Sequence, residues 1–247
     1  MHDSGLVRKN KGAIEKLRLL CLALGGGISD FMAYRVDIDS IKGFLDPEEG
    51  QALQEAALEA AVWGPCLEIG SYCGKSTIYY GTACQMKGTV LFALDHHCGS
   101  EENQPGEAYH DPDLYNAQTG RMDTLPTFRD TLRRAELEDS VIPLVASSAL
   151  AARQWATPLA MVFIDGGHSM ATAWDDYRLW TPHLMTDGIL AIHDVFPNPA
   201  DGGRPPYEVC QIALMSGAFT TLQVVKSLWV LRRNGGAIAY EKIPRWG

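Results

Sequence analysis

The stretch Cys66–Thr77, CLEIGSYCGKST, decides how the rest of the chain is read. Cys66, Leu67 and Ile69 form a short apolar run, Gly70 breaks it, and Gly74 opens a helix-like segment over Lys75–Met86. A strand, a glycine turn and a helix in this order present backbone N–H groups and a positive helix end to a ligand. A phosphate-binding P-loop needs Gly, four residues, then Gly-Lys-Ser/Thr. Here Ile69 stands where the first glycine belongs, and Gly70 comes one residue late. Glu68 adds a carboxylate at the strand end, which opposes phosphate and suits a cationic ligand carrying an amino group.

Downstream, apolar runs at Val90–Leu94, Val141–Val145, Met161–Ile164 and Ile189–Ile192 read as buried strands. Helix-like stretches at Asp123–Leu137, Ser148–Trp155 and Met170–His183 separate the later ones. Strands alternating with helices predict a parallel, doubly wound sheet. The tail breaks this rhythm. A helix around Tyr207–Ser216 leads to Phe219–Val225 and Leu228–Arg232, joined through Lys226-Ser227, which is hairpin spacing. The expected fold class is therefore α/β: a Rossmann-like, seven-stranded, mostly parallel sheet with a terminal antiparallel hairpin and helices on both faces.

Upstream, Asp46, Pro47 and Glu49 have the form of a capping box with proline at the first helical position. The helix they open ends near Trp63-Gly64-Pro65. Residues 1–45 read as an N-terminal helical extension, 46–233 as the ligand-binding domain and 234–247 as a tail. Within the extension, Ile14–Leu24 reads as a helix that Gly25-Gly26-Gly27 ends. Its expected role is a cover or an oligomer contact, with a homodimer as the simplest assembly.

The net charge of −9 over 247 residues argues against a general nucleic-acid binder. The basic residues Arg8, Lys9, Lys11, Lys16 and Arg18 read as the polar face of a helix that turns Ile14, Leu17 and Leu20 inward. No run approaches the roughly 20 apolar residues of a membrane span. Leu17–Leu24 is too short for a signal peptide, and no small-residue cleavage pattern follows it. Six cysteines without a C-x-x-C pair fit a reduced chain. A cytoplasmic protein with a small-molecule partner, and neither nucleic acid nor membrane, is the expectation.

Asp95 ends the second strand in LFALDHH, where a carboxylate accepts hydrogen bonds from ribose hydroxyls. After it, residues 96–122 form a long polar connection at the ligand-binding edge of the sheet, which reads as a lid. In AMVFIDGGHS, residues 160–169, Asp165 closes a strand, Gly166-Gly167 lets backbone approach a ligand, and His168 reaches the same crevice. The next strand ends in AIHDV and brings His193 and Asp194 to that edge. Asp165, His193 and Asp194 offer ligands for a divalent ion: two carboxylates suit Mg²⁺, and the imidazole also admits Mn²⁺, Zn²⁺ or Fe²⁺. Equally, Asp165 and Asp194 suit contacts to substrate or backbone, with His193 packed in the crevice. His168, with an ordinary pKa near neutrality, suits a general base. Asp175 and Asp176 share a helix with Trp174 and Tyr177 and read as facing solvent. An apolar strand ending in Asp165 also fits a Walker-B strand, which keeps a P-loop-like nucleotide hydrolase as an alternative.

Taken in order, LEIGSYCGKST, LDHH, LVASSA, VFIDGGHS and DGILAIHDV resemble the class I S-adenosylmethionine-dependent methyltransferases. They are most similar to the small stand-alone group that includes sugar, antibiotic and catechol O-methyltransferases. The resemblance covers about Leu45 to Arg233. It implies S-adenosylmethionine as cofactor and a small-molecule acceptor methylated at a hydroxyl. By this resemblance Glu68, Gly70, Ser71 and Tyr72 line the methionine part, with Gly74, Ser76 and Asp165 in the same cofactor set. Asp95 holds the ribose with His96 beside it, and Ser147 and Ser148 flank the adenine. Metal-dependent relatives carry an acid after the fourth strand and a polar pair after the fifth. Asp165 fits the first position and Asp194 half of the second, while His193 replaces the usual carboxylate. His168 stands at the general-base position of such relatives. Ala146-Ser147 stands where relatives often have Gly-Asp. Non-methylating chemistry on the same cofactor, and a non-catalytic protein that binds it, are the remaining readings.

Overall fold

The computed structural model describes residues 34–107, 109–236 and 238. The compact unit that holds the sheet begins at Val36. The helix expected over Ile14–Leu24, the basic stretch before it and most of the 234–247 tail lie outside the described residues.

Asp46 starts helix α1 (Pro47–Ala60): its side chain accepts from the Glu48 N–H, and the Glu49 side chain reaches back to the Asp46 N–H. The elements that follow are β1 (Cys66–Ile69), α2 (Lys75–Lys87), β2 (Leu91–Asp95), a small hairpin of β3 (Tyr115–Asn116) and β4 (Arg121–Met122), and α3 (Leu125–Arg134). Then come β5 (Val141–Val145), α4 (Ser148–Ala152), β6 (Leu159–Ile164), α5 (Met170–Trp180), β7 (Leu184–Ile192), α6 (Pro205–Met215), β8 (Phe219–Val225) and β9 (Leu228–Arg233).

The seven-stranded sheet runs β5-β2-β1-β6-β7-β9-β8. All pairings from β5 to β7 are parallel, and β9 is antiparallel to both of its neighbours. The hairpin therefore does more than extend the edge: its second strand slots between β7 and β8. Chain order reverses between β1 and β6, the switch point at which open α/β sheets bind ligands. Register makes that edge level. Ile69 lies opposite both Leu94 and Ile164, and Ile164 lies opposite Ile192. Gly70, Asp95, Asp165 and His193, each the end of its strand or the next residue, consequently stand side by side.

Every residue of β1 and β6 is buried, which is why their sequences are apolar runs rather than alternations. Leu67, Val162, Leu190 and Ile192 pack in one core with Tyr177 and Trp180 of α5 and Val209 and Cys210 of α6. Asp176 lies on the buried face of α5, three residues from Ala173 and four from Trp180, and is only 2% exposed. This corrects the expectation that it faces solvent: helical spacing turns Asp175 outward, toward Arg178, and Asp176 inward.

The 96–122 segment is folded, with single helical turns at Glu101–Asn103 and Pro112–Leu114. Leu114 and Met122 are buried against Cys73, and Lys42 binds Asp111 at 2.6 Å and Asp113 at 3.0 Å. No helix among the described residues is long and apolar enough to cross a membrane.

Candidate active site

A cavity of about 670 Å³ opens over the carboxyl edge of the sheet. Gly70, Ser71, Tyr72, Ser76, Asp95, His96, Ser147, Ser148, Asp165, His168, His193 and Asp194 all line it. At the switch point the β1 turn passes so close to β6 that a Cβ on Gly70 would lie 2.0 Å from the Asp165 carbonyl oxygen, and φ there is +90°. Only glycine fits that position.

Asp95 ties the turns after β1 and β2 together. Its Oδ2 accepts from the Tyr72 N–H at 2.8 Å and its Oδ1 from the His97 N–H at 2.7 Å. Both residues it holds have left-handed backbone, with φ 45° and 58°. The His97 ring is buried, with Nδ1 2.7 Å from Thr124 Oγ1.

Glu68 and Gly74 do not line the cavity. Glu68 is fully buried beneath the turn, where Thr77 Oγ1 donates to it at 2.5 Å. Burial pushes its carboxyl up to about 8, against the hydrogen bonds of Ser76 and Thr77, so it carries a proton at neutral pH. This corrects the charge argument made from sequence, because a neutral acid beneath the floor does not repel phosphate. The misplaced first glycine still stands against a P-loop. Gly74 serves instead as the left-handed N-cap of α2, with φ +93°.

Two histidines and four carboxylates meet where β6 and β7 end. His168 Nε2 lies 2.9 Å from Asp194 Oδ2, and its Nδ1 lies 3.1 Å from Glu102 Oε2. The Asp194 hydrogen bond, opposed by burial and helped by Glu102, raises the His168 pKa to about 9. His193 is buried, with Nδ1 3.1 Å from Asp165 Oδ1 and 3.4 Å from Asp194 Oδ2, and Nε2 2.9 Å from Glu49 Oε2. Burial alone lowers its pKa, but Asp165, Asp194 and Glu49 together hold it well above the ordinary imidazole range. Glu49 in turn accepts from the Ser227 N–H at 2.8 Å and Ser227 Oγ at 2.7 Å. Burial opposes its charge, yet His193 and Ser227 draw its pKa down to about 2.

Residues 67–195 match the methyltransferase domain family. The chain belongs to that family. Its fold is also shared by solved structures of low sequence identity. The O-methyltransferase NovP is 17% identical, with TM-score 0.56 over 76% of this chain and 78% of that one. The Bacillus cereus O-methyltransferase, solved with S-adenosylhomocysteine, is 16% identical, with TM-score 0.52 over 90% of each chain. TomG of Streptomyces achromogenes, an O-methyltransferase of tomaymycin synthesis solved with S-adenosylmethionine, is 14% identical, with TM-score 0.52 over 96% of this chain and 92% of that one.

In this class I S-adenosylmethionine-dependent methyltransferase, the set of side chains able to share an ion differs from the one expected. Asp165, His168 and Asp194 offer ligand atoms within 4.8 Å of one another. His193, which faces Asp165 through Nδ1 and Glu49 through Nε2, is not one of the three. Two residues of this side-chain cluster escaped sequence reading. Glu49 carries an unmistakable helix-capping signal, but nothing local announces its contact with His193, 144 residues away. Glu102 is one of several acids in a polar connection and reaches His168 across 66 residues.

Proposed function

We propose that this methyltransferase moves the methyl group of S-adenosylmethionine to a hydroxyl of a small-molecule acceptor, with His168 as the base. The observation that carries the reading is the convergence of Asp165, His168 and Asp194 on the cavity that the Gly70 turn and Asp95 also line. Gly70, Ser71, Tyr72 and Ser76 hold the methionine end, Asp95 and His96 the ribose, and Ser147 and Ser148 the adenine. The cavity's position supports this assignment, since the β1 turn and the β2 end are its adjoining walls.

Methyl transfer needs the methyl carbon, sulfur and oxygen in line and water kept out. Phe44 lies 5.9 Å from the Tyr72 ring and 5.3 Å from the Tyr109 ring, and the three form an aromatic screen at the cavity. His168 works as a base once the acceptor hydroxyl displaces Asp194 from Nε2. That exchange removes the largest influence holding the imidazole protonated, so the ring accepts a proton nearer neutral pH. The carboxylates of Asp165 and Asp194 suit a divalent ion, which they would hold and which would lower the pKa of the acceptor hydroxyl, leaving His168 as the base. His193, clamped by Glu49, orients Asp165 and Asp194 from beneath.

Calorimetry against S-adenosylmethionine, S-adenosylhomocysteine and ATP–Mg²⁺ tests the cofactor. Transfer of labelled methyl to a panel of hydroxyl and amine acceptors tests the reaction. Tight ATP binding without a response to the sulfonium cofactor, or transfer to amines alone, would overturn the proposal.

A further inference from the structure

We infer that Glu102, carried by the 96–122 segment, is the positioning residue of the base: it accepts the Nδ1 proton of His168 and leaves Nε2 to face the acceptor. This inference rests on the reading of His168 as the base.

Neutral imidazole has one N–H and one lone pair, and the partner of one nitrogen decides which is which. An ionised carboxylate only accepts, so Glu102 Oε2 at 3.1 Å and Asp194 Oδ2 each draw a proton to the nitrogen they face. Once the acceptor hydroxyl displaces Asp194, Glu102 keeps the remaining proton on Nδ1. Asp194 sits on the other nitrogen at 2.9 Å, on the side where Asp165 and the Gly70 turn border the cavity. An acid orienting a histidine through Nδ1 while Nε2 takes the proton is the division of labour in hydrolase triads. Here the orienting acid comes from the connection after β2, and the histidine from the turn after β6.

Glu102 is also held in place. Ser100 donates its N–H to Asn103 Oδ1 at 2.9 Å, which caps the single helical turn that carries Glu102. The Tyr109 N–H donates to the Glu102 carbonyl at 3.1 Å, and His110 Nδ1 lies 2.9 Å from the Asn103 carbonyl. Asn103 is buried, and Lys42 fixes the far side of the segment through Asp111. The segment therefore supplies part of the catalytic apparatus as well as a wall, and its docking is a condition for the base to exist.

The test compares Glu102→Ala, Glu102→Gln and His168→Ala in the full chain. It measures S-adenosylhomocysteine affinity, kcat, KM and the ¹⁵N resonances of the His168 ring. Glu102→Ala should lower kcat roughly 10- to 100-fold, the usual scale for losing a residue that orients another. KM and cofactor affinity should be unchanged, and the Nδ1 resonance should move toward that of an unprotonated nitrogen. Glu102→Gln keeps an oxygen that accepts from Nδ1 and should recover part of the rate. Wild-type kcat in Glu102→Ala alongside an impaired His168→Ala would overturn the role of Glu102 and leave the base intact. A rise in KM alone would make Glu102 a substrate contact and overturn its positioning role. Full activity in His168→Ala would overturn the base, and the inference with it.

Discussion

Glu49 Oε2 and His193 Nε2 stand 2.9 Å apart, both side chains buried, at the foot of the cluster formed by Asp165, His168 and Asp194. Removing one partner of a buried ion pair leaves the other charge without compensation, which costs about 3–5 kcal/mol. Glu49→Ala should lose stability on that scale. Glu49→Gln should lose less, because its amide oxygen still serves Ser227 or His193 but not both. Urea denaturation reads this directly, and an unchanged midpoint in Glu49→Ala would count against a structural role for the pair.

Asp176 predicts a pH-dependent gain from mutation. Burial, opposed by Ser148, raises its pKa to about 6 from the ordinary 3.8, so the folded state holds the proton more tightly than the unfolded chain. Its stabilising contribution is therefore complete below pH 4 and falls away as pH rises through 6. At pH 8 the buried charge costs up to about 3 kcal/mol, at 1.36 kcal/mol per pKa unit. Asp176→Asn should be more stable than wild type at pH 8 and equal to it at pH 4. A stability difference independent of pH would reject this account.

Gly70→Ala meets both a left-handed backbone and the Asp165 carbonyl. Strain of this kind costs about 1–3 kcal/mol before the clash with backbone is counted. The variant should lose stability and bind S-adenosylhomocysteine far more weakly. Normal binding would mean that the turn has room to move.

Asp95→Ala should weaken cofactor binding by about 1–3 kcal/mol, the scale of losing hydrogen bonds to a charged group. Part of that loss comes through the Tyr72 and His97 N–H groups that Asp95 now holds. Calorimetry should therefore show Asp95→Asn between the two, since one oxygen still accepts. Unaltered affinity in Asp95→Ala would exclude it from the cofactor site.

His168→Ala should lower turnover by roughly 10²–10⁴-fold, the range for lost general-base catalysis, with cofactor affinity preserved. Chelation probes a different part of the site. If an ion sits on Asp165 and Asp194, dialysis against EDTA should abolish activity and added Mg²⁺ or Mn²⁺ should restore it. Chelator-insensitive turnover would remove the ion and leave the base standing.

Much of this layout is legible in the chain because parallel strands buried on both faces must be apolar throughout. Cys66–Ile69 is buried throughout and falls where its apolar run lies; the edge strand Val141–Val145 also matches its run, although Ile142 and Val145 are exposed. β7 begins at Leu184, five residues before the expected start, because Thr186, Asp187 and Gly188 interrupt its apolar run. Asp187 sits there with φ 65°, an irregularity that apolar patterning does not register. Asp95, Asp165 and Asp194 are readable as candidate site residues because each ends or follows a strand, and level strands deliver their ends to one edge. Glu49 and Glu102 are not readable, since helix capping and a polar connection explain them locally and only tertiary packing gives them partners. Asp176 misleads for the opposite reason: beside an exposed acid, it looks like half of a solvated pair.

The tip of the last hairpin closes a circuit with the first helix of the sheet unit. Ser227 reaches Glu49 across 178 residues, after every strand that borders the cavity has been laid down. Contacts of such long range form slowly, because the chain between them must be ordered first. A ribosome that has just passed Asp194 has already made Asp165, His168 and His193, yet Glu49 still lacks its partner at the tip. A transcript truncated just before Ser227 would encode every acid and histidine of the cluster and still leave its foundation unfinished.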